Sequence, residues 1–206
     1  MSFSIRNGWA VPDGDTQCFD TVIREVADIR RILPHCDNRR VCVQAGGNIG
    51  IWAIELAKHF DTVYTFEPDR DNFDALSYNV RQNKSPVIAT DAALGDCSRR
   101  GAIHVFEPGN IGAHQVKNGD EFDVITIDSL NLTGVDLIQL DVEGYEHYAL
   151  IGAMDTIKRC SPVICVELKG LGDKHGFTDE MTRKMLEGIG YVLVERFHRD
   201  LLFIKK

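Results

Sequence analysis

Apolar residues recur along this chain in two periods, and their alternation predicts its elements. From Phe19 to Leu33 they fall at Phe19, Val22, Ile23, Val26, Ile29 and Leu33, a helical spacing that Pro34 ends. Val41 to Ala45 is a short apolar run ending in glycines and reads as a buried strand. Ile49 to Phe60 returns to helical spacing, Thr62 to Phe66 is a second strand, and Asp69 to Gln82 a helix opened by acidic residues that suit its positive end. Val87 to Thr90 reads as a third strand. Two further strands, Ala102 to Phe106 and Phe122 to Ile127, flank a Gly-containing loop from Glu107 to Gly119. Leu137 to Val142 is a strand, Gly144 to Arg159 a helix, Val163 to Leu168 a strand and Thr178 to Gly188 a helix. Tyr191 to Glu195 and Leu201 to Ile204 close the chain as two strands joined by a charged turn. Residues 1 to 15 are polar, with Gly8, Pro12 and Gly14, and read as an irregular lead-in.

Strands that alternate with helices imply a parallel sheet covered on both faces. The closing turn is too short for a parallel crossover, so its two strands must pair antiparallel. The expected fold is therefore α/β, mostly parallel, with an antiparallel C-terminal strand. A length of 206 residues suits a single domain, with residues 1–40 as lead-in and helix and 41–206 as a Rossmann-like core.

Composition narrows the partners. A formal net charge of −8 argues against nucleic acid or an anionic membrane surface, both of which want excess Lys and Arg. No apolar stretch approaches the roughly 20 residues of a membrane span. The six cysteines include no C-x-x-C pair and read as reduced, mostly buried thiols. The first residues lack a positive region followed by an apolar run. These features together predict a cytoplasmic protein.

The chemistry concentrates at strand ends. Ala45-Gly46-Gly47-Asn48-Ile49-Gly50 lies between a strand and a helix, where glycines let backbone N–H groups approach a ligand. Glu67 follows at the end of the next strand, 21 residues after Gly46, where a carboxylate accepts from the two hydroxyls of a ribose. An NAD fingerprint would place Gly where Ala45 stands, and little chain remains for a second nucleotide-binding half. One adenosine with a short cationic tail, S-adenosylmethionine, fits better. Thr90-Asp91-Ala92-Ala93-Leu94 follows the third strand, where Asp91 would bond an adenine amino group or simply cap a helix. In Gln139-Leu140-Asp141-Val142-Glu143-Gly144, Asp141 and Glu143 reach the edge where open α/β sheets bind ligands. Either carboxylate can steady a sulfonium or take a hydroxyl proton; Glu143 can equally serve only to open the next helix. Glu167 ends the strand Val163 to Leu168, with an ion pair to Lys169 or Lys174 as the plainer reading, and His175 lies beyond it in a Gly-rich loop. No tight ligand motif points to a metal. Asn110 and His114 are substrate-contact candidates in the 107–119 loop.

These segments, VCVQAGGNIGIWAIELA, TVYTFEPD, DAALGD, DLIQLDVEGYEHYALIGA and PVICVEL, resemble in order and spacing the blocks of the FkbM family of methyltransferases, over roughly residues 41 to 170. The resemblance implies a class I methyltransferase fold with a seven-stranded sheet and O-methylation of a hydroxyl on a sugar or other small molecule. It places Gly46, Gly47 and Asn48 around the methionine end and Glu67 with Pro68 at the ribose. Asp91 and Ala92 would lie at the adenine, and Asp141 and Glu143 near the transferring methyl; the residues themselves offer Asp141, Glu143 and His175, in falling order, as the base. One departure stands out: the family's acidic residue two positions before the first glycine is Gln44 here. The lost charge would weaken cofactor binding and leaves open a noncatalytic S-adenosylmethionine-binding protein; an NAD-dependent oxidoreductase is the more distant alternative. With a short N-terminal region, the acceptor site is expected from the loops 107–119 and 170–178.

Overall fold

The computed structural model describes residues 3–105 and 109–206. The predicted strand end at Phe106 and the loop start at Glu107 and Pro108 lie outside the described residues.

The lead-in is not irregular. Phe3–Arg6 (β1) and Trp9–Pro12 (β2) form an antiparallel hairpin. Asn7 and Gly8 at its turn both have positive φ, the two-residue geometry that matches strand twist. The turn is an Asn-Gly pair, a signal legible in the sequence. The expected long helix that follows is broken into Cys18–Glu25 (α1), a 3₁₀ turn, Ile29–Ile32 (α2) and a second 3₁₀ turn carrying Pro34.

The core then runs through Val41–Ala45 (β3), Ile51–Leu56 (α3), Thr62–Phe66 (β4), Arg70–Asn83 (α4) and Val87–Thr90 (β5). Ala92–Leu94 (β6), Arg99–Val105 (β7), His114–Asn118 (β8) and Phe122–Ile125 (β9) form a separate four-stranded sheet. Five residues of the expected 107–119 loop are thus a strand, β8, paired antiparallel to β7. Val135–Leu140 (β10) returns to the core. The helix expected over 144–159 is two, Glu146–Ile151 (α5) and Met154–Cys160 (α6). The break falls at Gly152, whose backbone crosses so close to Gly95 that a Cβ would stand 1.9 Å from the Gly95 carbonyl oxygen. Val163–Glu167 (β11), Asp179–Gly188 (α7), Tyr191–Phe197 (β12) and Asp200–Lys205 (β13) complete the chain.

The main sheet has seven strands in the order β12-β13-β11-β10-β3-β4-β5. All core pairings are parallel except those of β13, antiparallel to both β11 and β12. The chain leaves β3 toward β4 and β5, then returns to β10 on the other side of β3. That reversal opens a crevice between the carboxyl ends of β3 and β10.

Alternation along the strands divides the core. Val43, Ala45, Phe66, Ile138, Leu140, Ile164, Val166 and Phe203 pack with Ala149, Leu150, Ile157 and Leu186 of α5, α6 and α7. On the opposite face, Cys42, Val63, Leu137, Val163, Cys165 and Leu202 pack with Ile29, Ile32, Ala53 and Leu56 of α2 and α3. The first face stays apolar to the ends of its strands. The second does not: the row Val63, Cys42, Leu137, Val163 gives way to Thr65, Gln44, Gln139, Cys165, and then to Asp141, Glu167 and Asp200.

Candidate cofactor and acceptor site

The turn from β3 to α3 is shaped by backbone that side chains rarely tolerate. Gly46 has φ +82° and Gly50 φ +91°. A Cβ at Gly46 would stand 1.8 Å from the Asp141 carbonyl oxygen, so glycine is what lets the loops after β3 and β10 touch. The Gly47 N–H donates to Phe66 O at 2.9 Å. Gln44 lies beneath this turn, 1% exposed. Its amide donates to Gly46 O at 3.0 Å and accepts from the Thr65 hydroxyl. It braces the loop from below and is not among the residues that line the crevice.

Glu67 faces the turn. Its carboxylate accepts from the Asn48 N–H at 2.7 Å and the Asp69 N–H at 2.9 Å. Burial pushes its pKa up to about 7 against the pull of these two donors. Asp69 caps α4 through the N–H groups of Asp71 and Asn72, and its other oxygen meets His114 Nδ1 at 2.9 Å. Burial opposes ionisation of Asp69, but the His114 contact and the two backbone donors outweigh it and hold its pKa below the usual range. The same contact raises His114.

After β10 the backbone turns sharply at Glu143, φ +54°, and Gly144, φ +101°. A residue not singled out in the sequence holds this turn. Glu146, 4% exposed, accepts from the N–H groups of Val142 at 3.0 Å and Gly144 at 3.1 Å. Its place three residues beyond Glu143 in the E-G-Y-E run was the available signal. Asp141 and Glu143 then meet Glu167 around one ammonium. Lys169 Nζ lies 3.9 Å from Asp141 Oδ1 and 2.8 Å from Glu143 Oε1, and is in direct contact with Glu167 Oε2. The plain ion-pair reading of Glu167 holds, and Glu167 also lines the crevice. These three carboxylates lie within 4.8 Å of one another, close enough to share a cation, and Lys169 supplies one from the protein itself. Burial first, then the Glu167 charge, raises Asp141 well above the carboxylate range, although its side chain is 48% open to the crevice. Burial also raises Glu143, with Lys169 pulling the other way.

One cavity of about 520 Å³ joins all of this. Gly46, Gly47, Asn48, Glu67, Pro68, Asp141 and Glu143 line it, together with His114, Asn110, Ala93 and Leu94. Three expected residues stand elsewhere. Asp91 is exposed and pairs with Arg70 at 3.3 Å, and Ala92 is buried in β6, so Ala93 and Leu94 take the wall in their place. His175 is off the wall, packed edge-on against Tyr145 with ring centroids 5.1 Å apart. The 170–178 loop as a whole packs on the 144–148 segment, where a Cβ at Gly144 would meet Leu171 O at 2.6 Å, and contributes no lining residue. Its expected place is taken by α1 and the turn after it, through Gln17, Cys18, Thr21, Glu25 and Asp28. Asp15 caps α1, accepting from the N–H groups of Cys18 and Phe19 at 3.0 Å each, and Arg6 of β1 pairs with it at 3.1 Å.

The profile of the Methyltransferase FkbM domain matches residues 44–193. The chain belongs to the FkbM family of S-adenosylmethionine-dependent methyltransferases. Its curated relative, the hexuronic acid methyltransferase AglP of Haloferax volcanii, is 28% identical over 185 residues, covering 85% of this chain and 74% of that protein. The crystal structure of methyltransferase FkbM from Methylobacillus flagellatus KT superposes with a TM-score of 0.59 at 21% identity; the match covers 82% of this chain and 44% of that one. Magnesium protoporphyrin IX methyltransferase from Synechocystis PCC 6803, solved with bound S-adenosylmethionine, gives 0.50 at 17% identity over 91% of this chain and 79% of that one. The two structures share the class I fold. S-adenosylmethionine is the FkbM cofactor, and the crevice suits it: paired carboxylate oxygens at Glu67 and a glycine turn at the topological switch. The side-chain oxygen of Gln139, 3% exposed on the cavity wall, has no hydrogen-bond partner among the described residues, as an amide awaiting a polar ligand would. No helix among the described residues is long and apolar enough to cross a membrane.

Proposed function

We propose that this chain methylates a hydroxyl of a sugar or other small-molecule acceptor, with Asp141 as the general base. The observation that carries the reading is the juxtaposition across one cavity of Glu67 with the Gly46–Asn48 turn and of Asp141 with Glu143. One end is built for a ribose diol and the other for a proton. S-adenosylmethionine supplies a methyl group already activated on sulfur. Gly46, Gly47, Asn48 and Glu67 hold the nucleoside and its tail, while Pro68, Ala93 and Leu94 offer wall beside Glu67. Asp141, open to the crevice, accepts the acceptor hydroxyl's proton as the new oxygen–carbon bond forms and the carbon–sulfur bond breaks with its electron pair on sulfur. Alignment and exclusion of water supply the rest. Similarity to a hexuronic acid methyltransferase favours a carbohydrate acceptor.

Calorimetry with S-adenosylhomocysteine tests the cofactor half: saturable binding is expected, and none at millimolar ligand overturns it. Transfer of labelled methyl to a panel of free uronic acids and neutral sugars tests the acceptor half. Asp141→Asn should lower turnover by about 10²–10⁴-fold, the range for loss of a general base; full activity in that variant would remove Asp141 from the role.

A further inference from the structure

Four charged groups meet where the cavity deepens away from Glu67, and one of them is basic. Glu143, Glu167 and Lys169 are 15%, 14% and 16% exposed, whereas Asp141 is the member that opens to the crevice. Lys169 sits two residues beyond Glu167, just past the end of β11, and its stem brings the ammonium back to the loop after β10. The two closer contacts, to Glu143 and Glu167, fix the ammonium; the third, at 3.9 Å, reaches Asp141 without covering it. Resting on the transferase reading above, we propose that Lys169 is a positioning residue: anchored by Glu143 and Glu167, it offsets the charge of the neighbouring carboxylates at Asp141 and keeps that side chain turned toward the acceptor hydroxyl.

The neighbourhood makes such a cation necessary. Glu25 and Asp28 face this end from α1 and its following turn, and Asp200, His198 and Arg199 face it from the β12–β13 turn. The Lys174 charge also favours ionised Glu143, while its ammonium donates to Gln115 at 2.6 Å. His198 is drawn away by Asp28, at 3.2 Å. Carboxylates outnumber cations, so without Lys169 like charges a few ångströms apart would raise the proton affinity of Asp141 further still. A protonated Asp141 is far too weak a base to take the hydroxyl proton, so only the ionised fraction is active and that fraction would shrink. With Lys169 in place, the proton moves from the acceptor oxygen to Asp141 and leaves to water through the open side of the crevice.

Two measurements test this. Carbon-13 NMR of the side-chain carboxyls follows titration directly, with no need for activity. In Lys169→Met or Lys169→Gln the Asp141 midpoint should rise by about 1–3 pH units, the usual effect of an opposite charge at this distance, while Lys169→Arg stays near the parent. An unchanged midpoint in both neutral variants overturns the proposal. The pH–rate profile should show the acid limb displaced upward by a similar amount, with at least a tenfold loss at pH 7 largely recovered at pH 9. A profile that drops uniformly at every pH marks a merely structural lysine, and a parent enzyme that needs an added divalent cation assigns the role to a metal; either result overturns it. Calorimetry with S-adenosylhomocysteine separates these outcomes from failure of the transferase reading, because absence of binding in the parent protein indicts the cofactor site and leaves the carboxyl titration standing.

Discussion

Glu67 carries two backbone N–H groups on its carboxylate before any ligand arrives, and both oxygens retain a lone pair for a diol. Because burial raises its pKa to about 7, the form that accepts two hydroxyls is only partly populated at neutral pH. Affinity for S-adenosylhomocysteine is therefore expected to fall as pH drops below about 7, by at most roughly tenfold per unit, and to level off above it. Glu67→Gln should bind weakly and lose the dependence; a parent affinity flat from pH 6 to 8 would contradict the assignment. The local geometry of this end was legible, because a glycine turn and a carboxylate one βα unit later are local features. Gln44 was legible as a departure but not in its effect. Only the fold shows that its amide reaches the Gly46 carbonyl and the Thr65 hydroxyl, so that the substitution bears on the loop's support and not on the crevice wall. Asp91 and His175 were misplaced for the same reason in reverse. Each lies in a plausible loop, and the direction of a loop side chain is decided by packing that sequence spacing does not encode.

At the level of elements, the N-terminal hairpin matters more than its polarity suggested. Asn79 of α4, 1% exposed, accepts from the Ala10 N–H at 2.8 Å and donates to Ala10 O at 3.0 Å and Ile49 O at 2.8 Å. One side chain thus joins β2, α4 and the start of α3, beside a cluster formed by Ala10, Val11, Phe19, Ile49 and Ala75. Asn79→Ala leaves these backbone groups unpaired in the interior and should cost about 2–4 kcal/mol in urea unfolding, from about three lost bonds of a buried amide. A loss below about 0.5 kcal/mol would show that the hairpin is not held this way. The core strands and the order of elements were readable because their periods are strong and uninterrupted. The hairpin was missed although its Asn7-Gly8 turn was a local signal, and β6 and β8 were missed because each is only three to five residues long and becomes a strand by pairing within the second sheet. The broken helices, α1 with α2 and α5 with α6, share the lesson: apolar spacing continues through a break that Gly152 or a 3₁₀ turn imposes.

For the molecule as a whole, pH dependence sums groups from several places. Glu67, Glu146 and Asp200 each have a folded pKa of about 7 because burial penalises their charge. An acid raised on folding favours the native state when protonated, so these three withdraw stability as pH climbs through 7. His114, raised by Asp69, contributes below its folded pKa and loses that contribution in the same direction. The lowered Asp69, Asp96 and Asp136 are fully ionised throughout, and the lowered His147 and His175 act only below about pH 6.5. Thermal unfolding should therefore give a higher Tm at pH 6.5 than at 8.5, and a rise across that interval would contradict the burial of these carboxylates. The overall architecture was the most legible part, a parallel sheet closed by an antiparallel strand, because connection length alone decides that topology.

On the sheet face toward α2 and α3, three successive rows run from Val63, Cys42, Leu137 and Val163, through Thr65, Gln44, Gln139 and Cys165, to Asp141, Glu167 and Asp200. They act as a shoreline drawn across five strands. Inland, the side chains serve cohesion; at the water's edge, they face the visiting molecule; the two glutamines stand on the tideline between them. Because that outermost row also holds the base and the anchor of Lys169, a new acceptor preference must come from the loops around it, with the ground beneath undisturbed.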